Sequence, residues 1–411
     1  MDALKCAKEI CQELEAAGFI AYFAGGWVRD FILGRKSDDI DIATNASPEE
    51  ISAIFPNHVL VGAQFGVVLV LFKNFQFEIA SFRQDLGYTN GRSPTSVQIN
   101  CHPEEDAKRR DFTINGMFYN PMTEEIYDYV GGKNDLQQKI IRTIGNPYER
   151  FEEDRLRMLR AIRFAFRFDF HLDEKTKEAI VSKSHTLLPA VSMERIWQEL
   201  CKMHSGPHFK EALALLFEVG LLATIFPPLK VCSKDEFTNR LEGLENLSTH
   251  VPTILFIAKM FQKETSYLLS LCEHVKTSKE DMKWVDAFIE MQEVDFFTLS
   301  DYETAKILAN ARFPLVFETL LCEKTSQARQ KAISWYEERS KRLKFHIDLM
   351  KKKELQVKAT DLQERGIKPG KEMGELLKIA QEISVNENLV TKDACLEKLQ
   401  QTTLWKRYVA K

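Results

Sequence analysis

Hydrophobic periodicity changes once along the chain, near residue 145, and this constrains the fold more than any other feature. Before that point apolar residues occur in short, strand-like runs: FIAYFAGG, DDIDIAT, VVLVLF, FQFEIASF and EIYDYVGG. After it they recur every three or four residues, as in RLRMLRAIRFAF, FKEALALLFEVGLL and KAISWYEERSKRLKF. The first texture is that of half-buried strands, the second that of amphipathic helices. An α+β chain is expected, with a sheet-bearing head and an all-α remainder broken near Pro227-Pro228 and Pro369-Gly370.

Local signals refine the head. FIAYFAGG reads as a strand ending in a glycine pair, and DDIDIAT as a second short strand. In SPEE, Ser47 caps a helix and Pro48 takes its first position. Lys73-Asn74 between VVLVLF and FQFEIASF reads as a hairpin turn. QDLGYTNGRSPTS has the Gly, Asn, Ser and Pro content of a mobile loop.

Composition narrows the function classes. At roughly 150 residues per domain, 411 residues suit two or three domains. The mix of 44% hydrophobic and 28% charged residues is that of a folded chain. Net charge is −4, from 56 basic and 60 acidic side chains, which excludes a globally basic nucleic-acid glove but not local patches. The segment 323–358 is such a patch, with eleven Lys/Arg against five Asp/Glu. It can be a solvated helical face or a phosphate-tracking surface. Eight scattered cysteines with no C-x-x-C pair argue against a disulfide framework or structural zinc. MDALKCAKEICQELEAAGF is a charged amphipathic helix rather than a signal peptide. No apolar run approaches the ~20 residues that span a bilayer. A cytoplasmic protein with no membrane role and no evident obligate protein partner is expected.

Three acidic residues carry the chemistry. On a strand, residues two apart share a face, so Asp39 and Asp41 converge while Ile40 and Ile42 enter the core. Such a pair suits Mg²⁺, which takes a few protein oxygens plus substrate phosphates. Upstream lies GGWVRD, where Gly25 and Gly26 let backbone N–H groups approach a triphosphate near a helix start, with Arg29 just inside it. Downstream, Glu78 in FEIASFR can add a third carboxylate on the same sheet, or be an ordinary solvent-facing strand residue.

GGWVRDFILGRKSDDIDIAT, RRDFTINGMFYNP, IYDYVGGKNDL and EDRLRMLRAIRFA together resemble the bacterial class II tRNA nucleotidyltransferase and poly(A) polymerase family in order and spacing. DLQERGIKPGKEMGELL resembles its C-terminal segment more weakly. The resemblance implies a DNA polymerase beta-like nucleotidyltransferase head with a mixed β-sheet, followed by an all-α neck, body and tail. Boundaries are expected at 1–140, 141–210, 211–340 and 341–411. It also implies attack of an RNA 3′-hydroxyl on the α-phosphorus of CTP or ATP, with pyrophosphate leaving and Mg²⁺ as cofactor. Asp39 and Asp41 match the family's metal pair, and Glu78 its third carboxylate. Gly26 and Arg29 match positions that hold the triphosphate, and Arg110 and Asp111 positions that contact the nucleotide. Asn115 falls four residues on, and an Asp or Asn acceptor there suits the ribose; a helix cap with an Asp–Arg pair is the structural alternative.

On the helix expected from about Arg150, Asp154, Arg157, Arg160 and Arg163 recur every three residues opposite Leu159, Ile162 and Phe166. Glu153, Asp154 and Arg157 match the family's amino-acid template, in which Asp154 and Arg157 read the base edge. A carboxylate accepts from the exocyclic amine shared by cytosine and adenine; UTP and GTP offer the wrong pattern. Arg160 and Arg163 are then expected to face phosphates.

Three activities share such a scaffold: full CCA addition, partial CC or A addition, and poly(A) synthesis. The family's poly(A) polymerases carry a doubly basic element where this chain has Gly62-Ala63-Gln64-Phe65, and the loop at 84–100 has full length, although Arg92 is its one basic residue past Arg83. The missing basic pair favours tRNA end repair, and the full-length loop, which CC-only variants have shortened, favours an enzyme able to add the terminal A; poly(A) synthesis and A-only addition are the alternatives. A tRNA is therefore the expected partner, its acceptor stem on head and neck and its elbow near 323–358 and Pro369-Gly370. A non-catalytic RNA-binding descendant is disfavoured by the intact acidic residues, and an ATPase by the lack of a G-x-x-x-x-G-K-[ST] loop.

Overall fold

Strand alternation in the first third builds one mixed seven-stranded sheet in the order β3 (His58–Val59), β4 (Val67–Phe72), β5 (Phe75–Ser81), β2 (Asp41–Thr44), β1 (Ala21–Ala24), β8 (Met117–Tyr119), β9 (Ile126–Asp128). The computed structural model describes residues 2–60, 66–89, 93–99 and 101–409, and divides into two compact units, Met1–Phe237 and Thr238–Lys411. The segment at 62–65 and Arg92 lie outside the described residues.

In the first unit, helix α1 (Ala3–Ala16) is capped by Asp2 and buries Cys6, Ile10 and Leu14 on one stripe. It packs against β1 (Ala21–Ala24) and β5. Two short elements follow, α2 (Gly26–Ile32) and β2 (Asp41–Thr44). Helix α3 (Pro48–Ile54) starts as expected: Ser47 Oγ accepts from Glu50 N–H, and the Glu50 carboxylate accepts from Ser47 N–H. Strand β3 (His58–Val59) forms the edge. Strands β4 (Val67–Phe72) and β5 (Phe75–Ser81) make the expected hairpin, with positive φ at both Lys73 and Asn74.

The polar stretch after β5 is not a loop. Arg83–Thr89 (β6) and Ser93–Ile99 (β7) pair antiparallel as a separate two-stranded ribbon. Backbone pairing along the two strands is a non-local outcome that turn-forming composition does not report. Helix α4 (Pro103–Arg109), β8 (Met117–Tyr119), β9 (Ile126–Asp128) and α5 (Gly132–Gln138) complete the head.

Beyond it the helical expectation has one exception, a parallel pair of two-residue strands, β10 (Ile140–Ile141) and β11 (His171–Leu172). Between them run α6 (Pro147–Glu153) and α7 (Leu156–Phe168). The unit continues with α8 (Glu174–Lys183), α9 (Leu187–Ala190), α10 (Met193–His204), α11 (Phe209–Glu218) and α12 (Leu221–Ile225). Helix α7 packs on α10 and α11, burying Leu159, Ile162 and Phe168. Burial of such side chains stabilises by about 1.5–3 kcal/mol each.

The second unit is helical among its described residues. Leu362, Leu376, Leu399 and Trp405 form a core under its C-terminal helices. Gly370 immediately precedes the helix Lys371–Asn386. No helix among the described residues is long and apolar enough to cross a membrane.

Candidate active site

The site begins where β1 ends and β2 starts, at the register partners Ala24 and Asp41. Gly25 adopts φ 65° and ψ −124°, a region that L side chains rarely occupy. A Cβ there would stand 2.9 Å from Arg110 Nη1 and 4.0 Å from Asp41 Oδ2. The chain therefore turns from β1 into α2 with its backbone against both side chains.

Asp41 opens β2, and Glu78 sits on β5, the parallel neighbour. Their successors Ile42 and Ile79 are register partners and fully buried, so the two carboxylates share the opposite face. Asp39 precedes the strand rather than lying on it, so strand alternation does not set its direction. It still acts on Asp41. Burial, then repulsion from Asp39 and Glu78, pushes the Asp41 carboxyl up to about 6 against the pull of Arg110.

A cleft of about 390 Å³ opens from Gly25, Gly26 and Asp41 towards α7. Its walls are ion-paired guanidiniums. Arg110 donates from Nε and Nη2 to Asp106 Oδ2 at 3.1 and 3.0 Å, while Arg109 takes the other oxygen. Burial opposes the charge on Asp106, but Arg110 and Arg109 outweigh it and hold its carboxyl below the usual range. Arg29 is buried, forks onto Asp30 at 2.9 Å twice, and donates to Asn115 Oδ1 at 2.6 Å. Asn115 Nδ2 donates in turn to Asp111 Oδ1 at 3.0 Å. Asp111 and Asn115 thus meet through a 3₁₀ turn at Thr113–Asn115, not on the face of the expected helix.

The segment around Asp154 differs from expectation. Asp154 is not on the same helix as the arginines: it lies in a break between α6 and α7 with φ −142° and ψ 105°. Its Oδ1 accepts from Leu156 N–H at 3.0 Å, a capping bond that competes with continuing the helix. Glu153 faces inward as a brace, accepting from Arg150 and from Arg157 Nη1. Arg157 also reaches the carbonyls of Arg150 and Arg109 at 3.0 and 3.3 Å. Helix α7 thus has no solvated arginine face over Arg157–Arg163: Arg157 and Arg163 are buried.

Ten of the residues picked from sequence line this cleft: Gly25, Gly26, Arg29, Asp41, Arg110, Asp111, Asn115, Asp154, Arg157 and Arg160. Asp39, Glu78, Glu153 and Arg163 do not. The expected phosphate-facing role of Arg163 does not fit its placement: Nε donates to buried Glu199 at 2.6 Å, and its guanidinium lies 4.2 Å from the Phe164 ring centroid. Arg160 lines the cleft but is committed to Asp111.

Sequence reading missed Asp106, Arg109, Arg150 and Arg195. Arg150 donates to the carbonyls of Arg109 and Arg110, fastening α6 to the RRD segment. A buried Asp preceding consecutive arginines at i+3 and i+4 was the available signal for Asp106. In the second unit, Arg339 and Arg342 both pair with Asp301, which internalises part of the 323–358 charge.

Among the described residues no three His, Cys, Asp or Glu side chains converge closely enough to hold a metal ion by themselves. An aspartate pair fits a cation whose remaining ligands are phosphate and water. The mutual repulsion at Asp41 is what such a cation relieves.

Residues 21–142 match the family model described as the poly A polymerase head domain, and 246–399 that of tRNA nucleotidyltransferase domain 2. Residues 169–232 match the model for the RNA and SrmB binding site of polymerase A. A CCA-adding enzyme of Lactobacillus helveticus is 32% identical over 95% of both chains, and one of Bacillus cereus 33% identical over 98% of this chain and 100% of that one. The chain belongs to the CCA-adding enzyme family. CCA-adding enzymes are tRNA nucleotidyltransferases, a class that uses divalent metal. The structure of the Bacillus stearothermophilus CCA-adding enzyme in complex with CTP aligns with TM-score 0.76 at 29% identity, covering 97% of this chain and 98% of that one.

Proposed function

We propose that this CCA-adding enzyme transfers CMP and AMP from CTP and ATP to a tRNA 3′ end in the cleft between Asp41 and Asp154. The observation that carries the reading is the convergence of an acidic strand end, a glycine turn and an acceptor–donor pair on one cavity. Asp39 and Asp41 would hold Mg²⁺, with Glu78 adding negative charge beside them. When bound, Mg²⁺ supplies Lewis acidity towards the attacking hydroxyl and charge neutralisation on the triphosphate.

The chain's own groups do the rest. The turn at Gly25 admits the triphosphate close to backbone, beside Arg110. Asp111 and Asn115 bound the ribose region. Asp154 Oδ2 accepts from Arg195 and has a second lone pair for an exocyclic amine, which cytosine and adenine have and uracil lacks, while Arg157 offers donors to the ring acceptors. A base with the wrong pattern leaves a buried group unpaired, the strongest form of rejection by hydrogen bonding. The acceptor stem is assigned to the first unit, and the lysine-rich segment within 323–358 to the elbow. The assignment of the enzyme to the cytoplasm rests on its tRNA substrate.

The test is incorporation on tRNA transcripts ending before CCA, after C and after CC, beside an unstructured RNA primer, with CTP, ATP or both. A stop after completion of CCA on tRNA supports the reading. Long A-tracts on the primer would favour poly(A) synthesis instead.

A further inference from the structure

Arg195, on the first turn of α10, was not among the residues the motifs suggested, yet it lines the same cleft as Asp41 and Asp154. Its Nη2 donates to Asp154 Oδ2 at 3.4 Å. The Asp154 carboxylate is thereby held from two directions, since Oδ1 is taken by Leu156 N–H. Asp154 lies in extended backbone between two helices, so no helical neighbour restrains its rotamer. The Arg195 contact is the one side-chain bond that does so among the described residues.

The other half of the guanidinium is unsatisfied. Arg195 Nη1 is buried and has no hydrogen-bond partner among the described residues. A buried donor without an acceptor is costly, and folded proteins rarely tolerate one without a reason. Here the donor belongs to a residue lining a polar cleft, where an incoming nucleotide brings acceptors: the ring nitrogens and carbonyl oxygen of its base.

We propose that Arg195 is a specificity-determining residue of this enzyme, fixing the Asp154 carboxylate through Nη2 and donating from Nη1 to an acceptor on the base of the incoming nucleoside triphosphate. The inference rests on the base-reading role assigned to Asp154 and extends it to a third side chain from a separate helix.

The experiment is equilibrium binding of CTP and of UTP, with Mg²⁺ and without RNA, to the full chain and to Arg195→Ala, Arg195→Lys, Asp154→Ala and the Asp154→Ala/Arg195→Ala double variant. Arg195→Ala should weaken CTP binding by roughly tenfold or more and narrow the CTP/UTP ratio. Arg195→Lys keeps the charge and one donor, and should recover part of the ratio. Because the two side chains act as a pair, the double variant should lose less than the product of the single losses. CTP binding by Arg195→Ala within twofold of the parent, with the ratio unchanged, would overturn the assignment. Should Asp154→Ala lose the CTP preference while Arg195→Ala keeps it, the Arg195 role alone fails. A CTP preference retained by Asp154→Ala sinks the base-reading assignment itself. Thermal melting of each variant separates these outcomes from loss of fold.

Discussion

Arg160 donates from both Nε and Nη2 to one oxygen of Asp111, at 2.9 and 2.5 Å. Asp111 belongs to the RRD segment after α4 and Arg160 to α7, so one ion pair ties two walls of the cleft together. The other Asp111 oxygen accepts from Phe112 N–H and Asn115 Nδ2. Every Asp111 acceptor is thereby turned to holding the cleft's shape.

That pair has a pH signature. Burial alone would raise the Asp111 carboxyl, but Arg160 and Asn115 outweigh it and hold it well below the usual range. A depressed folded value means that the unfolded chain binds the proton first as pH falls. The stabilisation is therefore complete above the unfolded value of about 3.9 and is lost as pH drops below it towards the folded value. Asp111→Asn should lower stability at pH 7 by about 2 kcal/mol, less than a fully buried pair because Arg160 is partly exposed. Denaturant titrations from pH 7 to pH 2.5 should show a shallower acid slope for the variant. An unchanged slope would mean that the pair contributes nothing.

Asp39→Ala and Asp41→Asn should each reduce nucleotide transfer by at least about 10²–10³-fold, the scale for loss of an electrostatic stabiliser at developing charge. Binding of tRNA in a gel-shift assay should change little. Residual turnover within tenfold of the parent in either variant would remove the metal assignment.

Replacing Asp154 and Arg157 together by Ala should relax selection more than chemistry. UMP incorporation should rise by ~10²-fold relative to CMP, because rejection depends on leaving a buried group unpaired. Competition between CTP and UTP on a tRNA lacking CCA measures this directly. Intact rejection of UTP would show that other groups read the base.

Gly25→Ala should cost about 1–3 kcal/mol, since its backbone lies where an L residue is strained. Activity should fall further than stability suggests, because the added Cβ displaces Arg110 Nη1. Thermal melting and CMP incorporation on the same preparation separate the two effects. Equal proportional losses would point to a purely structural turn.

Arg163→Met should do the reverse. Its partner Glu199 is 2% exposed and Arg163 6%, so breaking the pair leaves the buried carboxylate with Lys202 alone, at 3.5 Å, and destabilises by about 3 kcal/mol. The CTP/UTP ratio, measured below the melting transition, should be unchanged. A shifted ratio with normal stability would return Arg163 to the nucleotide site.

Much of the fold was legible because its signals are local. Strand alternation, the Ser47–Glu50 capping box and the Lys73-Asn74 turn each depend on residues within one element. The β6–β7 ribbon was read as a loop because its stability comes from cross-strand pairing, while its sequence is dominated by turn formers. The helix break at Asp154 was hidden for a related reason. Three-residue spacing looks continuous, but the Asp154 side chain competes for Leu156 N–H, and the backbone leaves the helix there.

The sequence by itself determined which chemical groups exist and in what order: an acidic pair after a glycine turn, a run of arginines, and a carboxylate–arginine template. Residue type and local spacing suffice for that, because hydrogen-bonding capacity and charge belong to the side chain. Which arginine lines the cleft and which is buried against its carboxylate was decided by tertiary structure alone. Arg157, Arg160 and Arg163 are spaced alike on one helix, but Glu153, Asp111 and Glu199 reach them from different elements. A guanidinium turns to the nearest fixed carboxylate, and where that carboxylate stands depends on packing between segments far apart in the chain. Arg195 shows the same dependence, since only the packing of α10 against α7 brings it to Asp154.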